Sequence, residues 1–90
     1  MVFDRIIVNN QTLLAEGQLT VDQPLIKITT TDGEVGQYFN QLETSQQSIE
    51  SIALFKGEEE RYASSSIQIS KLTLVGGNYR IELEETHQVN

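Results

Sequence analysis

Chemistry, if this chain performs any, has few side chains to use. Carboxylates gather in two places, Glu58-Glu59-Glu60 and Glu82-Glu84-Glu85, and the single histidine is His87 near the C-terminus. A cation such as Ca²⁺ takes six to eight oxygen ligands from a spaced acidic loop. Neither group has that spacing, and alternation places Glu82 and Glu84 with Arg80 on the outer face of one strand, where carboxylates are solvated. Acid–base cleavage of a glycoside needs one carboxyl raised in pKa by an apolar pocket, and no such pocket is implied. His87 lies in a segment read as a loose tail, a poor place for a preorganised base. No motif positions a serine for Lys27, Lys56 or Lys71. Gly76-Gly77 is not followed by the helix that a phosphate-cradling loop requires. The expectation is therefore a chain that is not an enzyme and needs no cofactor or metal.

Composition narrows the partners. Thirteen acidic and six basic residues give a formal net charge of −7. A nucleic-acid backbone is bound by clustered Lys and Arg that release counterions, and anionic membranes attract the same residues. Direct nucleic-acid and membrane binding are both disfavoured. With no cysteine, there is no disulfide framework, thiol nucleophile or cysteine-type zinc site. Asp4 interrupts the N-terminal stretch where a signal peptide would be apolar, and no run reaches membrane-spanning length. A cytoplasmic or virion location is expected, so the sequon Asn10-Gln11-Thr12 is read as chance.

The elements that must carry any surface are organised by residues 67–85, IQISKLTLVGGNYRIELEE. Gly76-Gly77 supplies the positive φ angles of a two-residue primed turn between alternating runs. That turn sets Val75 across from Asn78, Leu74 from Tyr79, Thr73 from Arg80, Leu72 from Ile81 and Lys71 from Glu82. Upstream, Ile67 and Ile69 fall out of phase with Leu72 and Leu74. One extra residue near Ser70-Lys71, a β-bulge, restores Ile69 to the buried face opposite Leu83.

Ahead of this hairpin, Val2–Val8 reads as a strand, Asn9-Asn10 as a turn and residues 13–22 as a long alternating strand with a bend at Gly17. Gln23-Pro24 breaks the pattern before a strand over Leu25–Thr30. Residues 31–46 admit two readings. Thr31-Asp32-Gly33-Glu34 matches a capping box and Val35, Tyr38, Phe39 and Leu42 fall at helical spacing, whereas Asp32-Gly33 is also a hairpin dipeptide. The helical reading is preferred, near 34–46. Ser48–Lys56 reads as a strand, and Lys56-Gly57-Glu58-Glu59 turns the chain into Glu60-Arg61-Tyr62.

Ninety residues make one domain, 1–90, with 86–90 a loose tail. The fold class is mainly β, either a small antiparallel barrel or sandwich or, as α+β, a sheet carrying one short helix. Two surfaces suit a protein partner or self-association. Val2–Val8 or Ser48–Lys56, if at a sheet edge, could add to a neighbouring sheet. Glu58, Glu59, Glu60, Arg80, Glu82 and Glu84, from the acidic loop and the last strand, could present a negative patch to a basic partner.

The span 51–85, with SIALFKGEEERYASSS leading into IQISKLTLVGGNYRIELEE, resembles the small β-rich structural proteins encoded among bacteriophage tail and virion genes. That resemblance implies a non-catalytic subunit held by neighbouring chains, which makes a homo-oligomer or particle component the expected state. The alternative is a small acidic inhibitor, mimicking nucleic acid toward a basic partner such as a host nucleic-acid enzyme.

Overall fold

The computed structural model describes residues 1–86. Seven strands, β1 Val2–Val8, β2 Gln11–Asp22, β3 Leu25–Thr30, β4 Ile52–Lys56, β5 Glu59–Ser64, β6 Ile67–Val75 and β7 Asn78–Glu85, form one antiparallel sheet, and the helix α1, Gly33–Thr44, lies between β3 and β4 in sequence. The sheet order is β5-β4-β1-β2-β3-β7-β6. The mainly β class holds, as one sheet carrying a helix. The segment 31–46 holds the helix Gly33–Thr44, not a hairpin, and the N-cap is Asp32, one residue beyond the start of the capping-box pattern. Its carboxylate accepts from the Glu34 amide at 2.9 Å and the Val35 amide at 3.2 Å, satisfying donors that the first helical turn leaves unpaired.

The sheet is strongly staggered. β1 pairs with β2 from Gln11 to Gln18, and β3 pairs with it from Gly17 to Asp22, so the two neighbours overlap only at Gly17 and Gln18. At this handover a Cβ on Gly17 would lie 2.6 Å from the Phe3 ring and would collide with the Thr29 carbonyl oxygen. The expected bend residue is thus where two strands approach too closely for any side chain. The stagger curls the sheet until its two outermost strands, β5 and β6, are joined by Ser65 and Ser66 alone.

The inner face and the helix share one core. Phe3, Ile6, Leu19, Ile26, Ile28, Val35, Phe39, Ile52, Leu54, Ile81 and Leu83 are all essentially inaccessible to solvent. Fully burying each large side chain contributes about 1.5–3 kcal/mol. In β1 the inward positions change from odd (Phe3) to even (Ile6, Val8), where the pairing register shifts between Phe3 and Arg5. Thr30 is the buried polar side chain; its hydroxyl donates to the Glu16 carbonyl at 2.8 Å and accepts from the Asp32 amide.

Neither strand that would suit partner addition if at an edge lies at one. Val2–Val8 is interior, flanked by β2 and β4. The strand expected over Ser48–Lys56 begins only at Ile52 and lies second from the edge. The cause is Asn9, whose side chain accepts from the Glu50 amide at 2.6 Å and the Ser51 amide at 3.2 Å and donates to the Ser48 carbonyl at 3.1 Å. These bonds give residues 48–51 a partner other than a strand ladder, leaving Ile49 a single bridge to Ile67. The tail expectation and His87 lie outside the described residues, except that the Thr86 amide donates to the Ser66 carbonyl.

Candidate functional site

The six residues expected to bind a partner fall into two separate places. Glu58, Glu59 and Glu60 sit at the β4–β5 turn, at one side of the sheet. This turn is tied down from below, because both Asp4 carboxylate oxygens accept from the Gly57 amide at 3.1 Å and Lys56 approaches Asp4 at 3.7 Å. Glu59 pairs with Arg61 at 3.0 Å on the surface, a contact of at most about 1 kcal/mol.

Arg80, Glu82 and Glu84 lie on the outer face of β7, and its pairings decide their electrostatics. Glu82 is flanked by Lys27 on one side and Lys71 on the other, and Arg80 lies between Thr29 and Thr73. Glu84 lies between Leu25 and Gln68. Asp22, Glu82 and Glu84 therefore share this face with Lys27, Lys71 and Arg80, three charges of each sign. The face is polar and charge-balanced, not an acidic patch. The sequence reading paired Lys71 with Glu82 but missed Lys27, because the contact between β3 and β7 spans the helix and three other strands.

The outer face over β5, β4 and β1 differs in character. Pairing aligns Ala63, Ala53 and Ile7 in one row and Glu60, Phe55, Arg5 and Leu14 in the next. The Arg5 guanidinium stacks 4.5 Å from the Phe55 ring centroid, covering apolar surface with the stem of a charged side chain.

The two sheet edges are unequal. β5 ends the sheet with Glu59, Glu60 and Arg61, and Arg61 is the extra residue where the pairing shifts between Leu54 and Phe55. Charges and a bulge are the devices that blunt an edge against further pairing. β6 ends the other side. Its bulge falls at Ser70, between Ile69 and Lys71, so the register worked out from the double glycine holds pair for pair, with Gly76 and Gly77 at φ 57° and 80°. From Lys71 to Val75 the pairing is regular, Lys71 is the strand's only charge, and Leu74 and Val75 are 58% and 51% exposed.

Where β5 comes round toward the end of β7, the Tyr62 hydroxyl and a Glu85 carboxylate oxygen are buried without a hydrogen-bond partner at good geometry. Burial raises the Tyr62 pKa above its ordinary value; the Ser64 hydroxyl pulls it the other way, and the negative charge of Glu85 adds to the rise. Among the described residues, no three His, Asp or Glu side chains gather as a metal site would require, and no helix is long and apolar enough to cross a membrane. Compared with protein-family models, curated proteins and solved structures, the chain finds no match.

Proposed function

We infer that the protein works by association and not by catalysis, most concretely as a small structural subunit of a phage virion or tail. The observation that carries this reading is the β6 edge: regular from Lys71 to Val75, free of acidic residues and lined by exposed Leu74 and Val75. An open apolar edge of this kind is a template for another strand unless something covers it. The resemblance of residues 51–85 to phage structural proteins supports the same conclusion, and cytoplasm before assembly and virion afterwards are the locations that fit. Light scattering on a sizing column tests it, with an oligomer, or binding to a particle component, as the expected result. A monomer at every concentration that captures no such component overturns the reading.

A second reading, an acidic inhibitor of a basic protein, draws on the Glu58-Glu59-Glu60 turn alone, since Glu82 and Glu84 share a balanced face. It requires binding that weakens as salt rises; affinity indifferent to salt removes it.

A further inference from the structure

We propose that two copies of this chain join through β6, edge to edge and antiparallel about a two-fold axis, extending each seven-stranded sheet into one of fourteen. The proposal rests on the assembly reading above and specifies the surface and the register.

The register follows from the hairpin. In a two-residue hairpin the residues flanking the turn exchange hydrogen bonds, and bonded and non-bonded positions then alternate along each strand. Val75 pairs with Asn78, so Val75, Thr73 and Lys71 turn their backbone groups toward β7. Leu72 and Leu74 turn theirs outward, and neither makes a backbone hydrogen bond elsewhere among the described residues. A two-fold axis perpendicular to the sheet keeps each side chain on its own face, so residues facing each other must have the same parity. Centring the axis on Thr73 sets Leu72 of each copy against Leu74 of the other. Thr73 then meets Thr73, and Lys71 meets Val75.

Charge selects this edge over its rival. Each chain carries −7, and a second copy approaching β5 brings Glu59, Glu60 and Arg61 of both copies to one seam, on an edge already interrupted at Arg61. Along β6 the Thr73-centred register opposes no like charges. Room exists for the added strand's leucines: Gln37, Asn40 and Glu43 of α1 face Leu72, Leu74 and Tyr79 across an open cavity of about 320 Å³. The four leucines of the pair would line one continuous apolar seam on that side, and the threonines would meet on the other.

The absence of cysteine from the chain makes the register directly testable. Opposed residues at a non-bonded antiparallel position have Cα atoms about 4.5 Å apart, inside the roughly 4.4–6.8 Å range that a disulfide spans. Under mild oxidation, Thr73→Cys is expected to convert to a covalent dimer on a non-reducing gel. Lys71→Cys alone is expected to stay monomeric, whereas Lys71→Cys mixed with Val75→Cys is expected to cross-link. Circular dichroism of each variant establishes that it is folded before oxidation. If folded Thr73→Cys links no faster than Lys71→Cys alone, the β6 pairing is wrong. Unmodified protein that still sediments as an oligomer would then assign assembly to another surface, while unmodified protein that is monomeric and captures no particle component would overturn the assembly reading as well.

Discussion

Replacing Gly17 with alanine tests the architecture at its tightest point. β2 passes from its pairing with β1 to its pairing with β3 at this residue, and a methyl group there would sit 2.6 Å from the Phe3 Cζ and against the Thr29 carbonyl oxygen. Neither neighbour has an easy escape. Phe3 is fully buried in the core, and the Thr29 carbonyl belongs to a strand paired on both sides. Overpacking a core costs about 1–3 kcal/mol, while alanine's smaller unfolded-state entropy returns about 0.4–1 kcal/mol. With both a ring and a backbone atom obstructed, the net loss is expected near the upper end, about 2 kcal/mol. A domain of this size is stable by only roughly 5–14 kcal/mol, so the urea midpoint should fall clearly, and Tm by about 8–16 °C. Gly33→Ala is the matched control: it begins the helix, and its added methyl meets nothing within 4 Å. That change is expected to be neutral or stabilising by up to about 1 kcal/mol. A Gly17→Ala loss below about 0.5 kcal/mol, or an equal loss from Gly33→Ala, would refute the close approach at the handover.

Asn9→Ala removes three hydrogen bonds to residues 48–51 and places alanine at φ 50°; a loss of about 2–3 kcal/mol is expected in urea titrations. Asp32→Ala should cost about 0.5–2 kcal/mol as a lost N-cap, and Thr31→Ala less than about 0.5 kcal/mol; the reverse order would put the cap at Thr31. Tyr62 holds its proton more tightly when folded, because burial and the Glu85 charge raise its pKa above the ordinary value of 10.0. Its contribution is therefore fully present below pH 10 and is lost as pH rises through the folded-state value. Tyr62→Phe should flatten the stability profile above pH 10, measured by denaturation at stepped alkaline pH, and an unchanged slope would show that Tyr62 does not carry it.

Local chemistry was legible in the sequence and long-range order was not. The double glycine and the phase break between Ile69 and Leu72 fixed every pair of the β6–β7 hairpin, because turn type and side-chain period both act within twenty residues. The strands at Val2–Val8 and Leu25–Thr30 were readable for the same reason. Strand order was hidden, since the α1 crossover carries the chain from β3 past β2 and β1 to β4, and periodicity holds no record of that route. Which strands form the edges, β5 and β6 in the fold, is therefore not readable from the sequence. β5 itself, EERYAS, has too little apolar alternation to announce a strand of six residues. Ser48–Ser51 reads as strand in the sequence because only the folded chain brings Asn9 to these residues.

The same non-local pairing decided the candidate site. Glu82 and Glu84 read as an acidic group until Lys27 arrives from β3. The β6 edge, by contrast, could have been found from sequence: a hairpin arm with one lysine and no acid, ending at Leu74-Val75, lacks the charges that guard an edge. What the sequence could not supply was the fact that no other described strand covers it from Lys71 to Val75.

Residue-resolved amide exchange along β6, at low and high protein concentration, bears most directly on the central claim. The expected result is alternation in dilute solution, with Lys71 and Thr73 protected by β7 and Leu72 and Leu74 exchanging freely, followed by protection of Leu72 and Leu74 as concentration rises. Uniform protection of all four amides at every concentration, or free exchange at Leu72 and Leu74 that never slows, would contradict it.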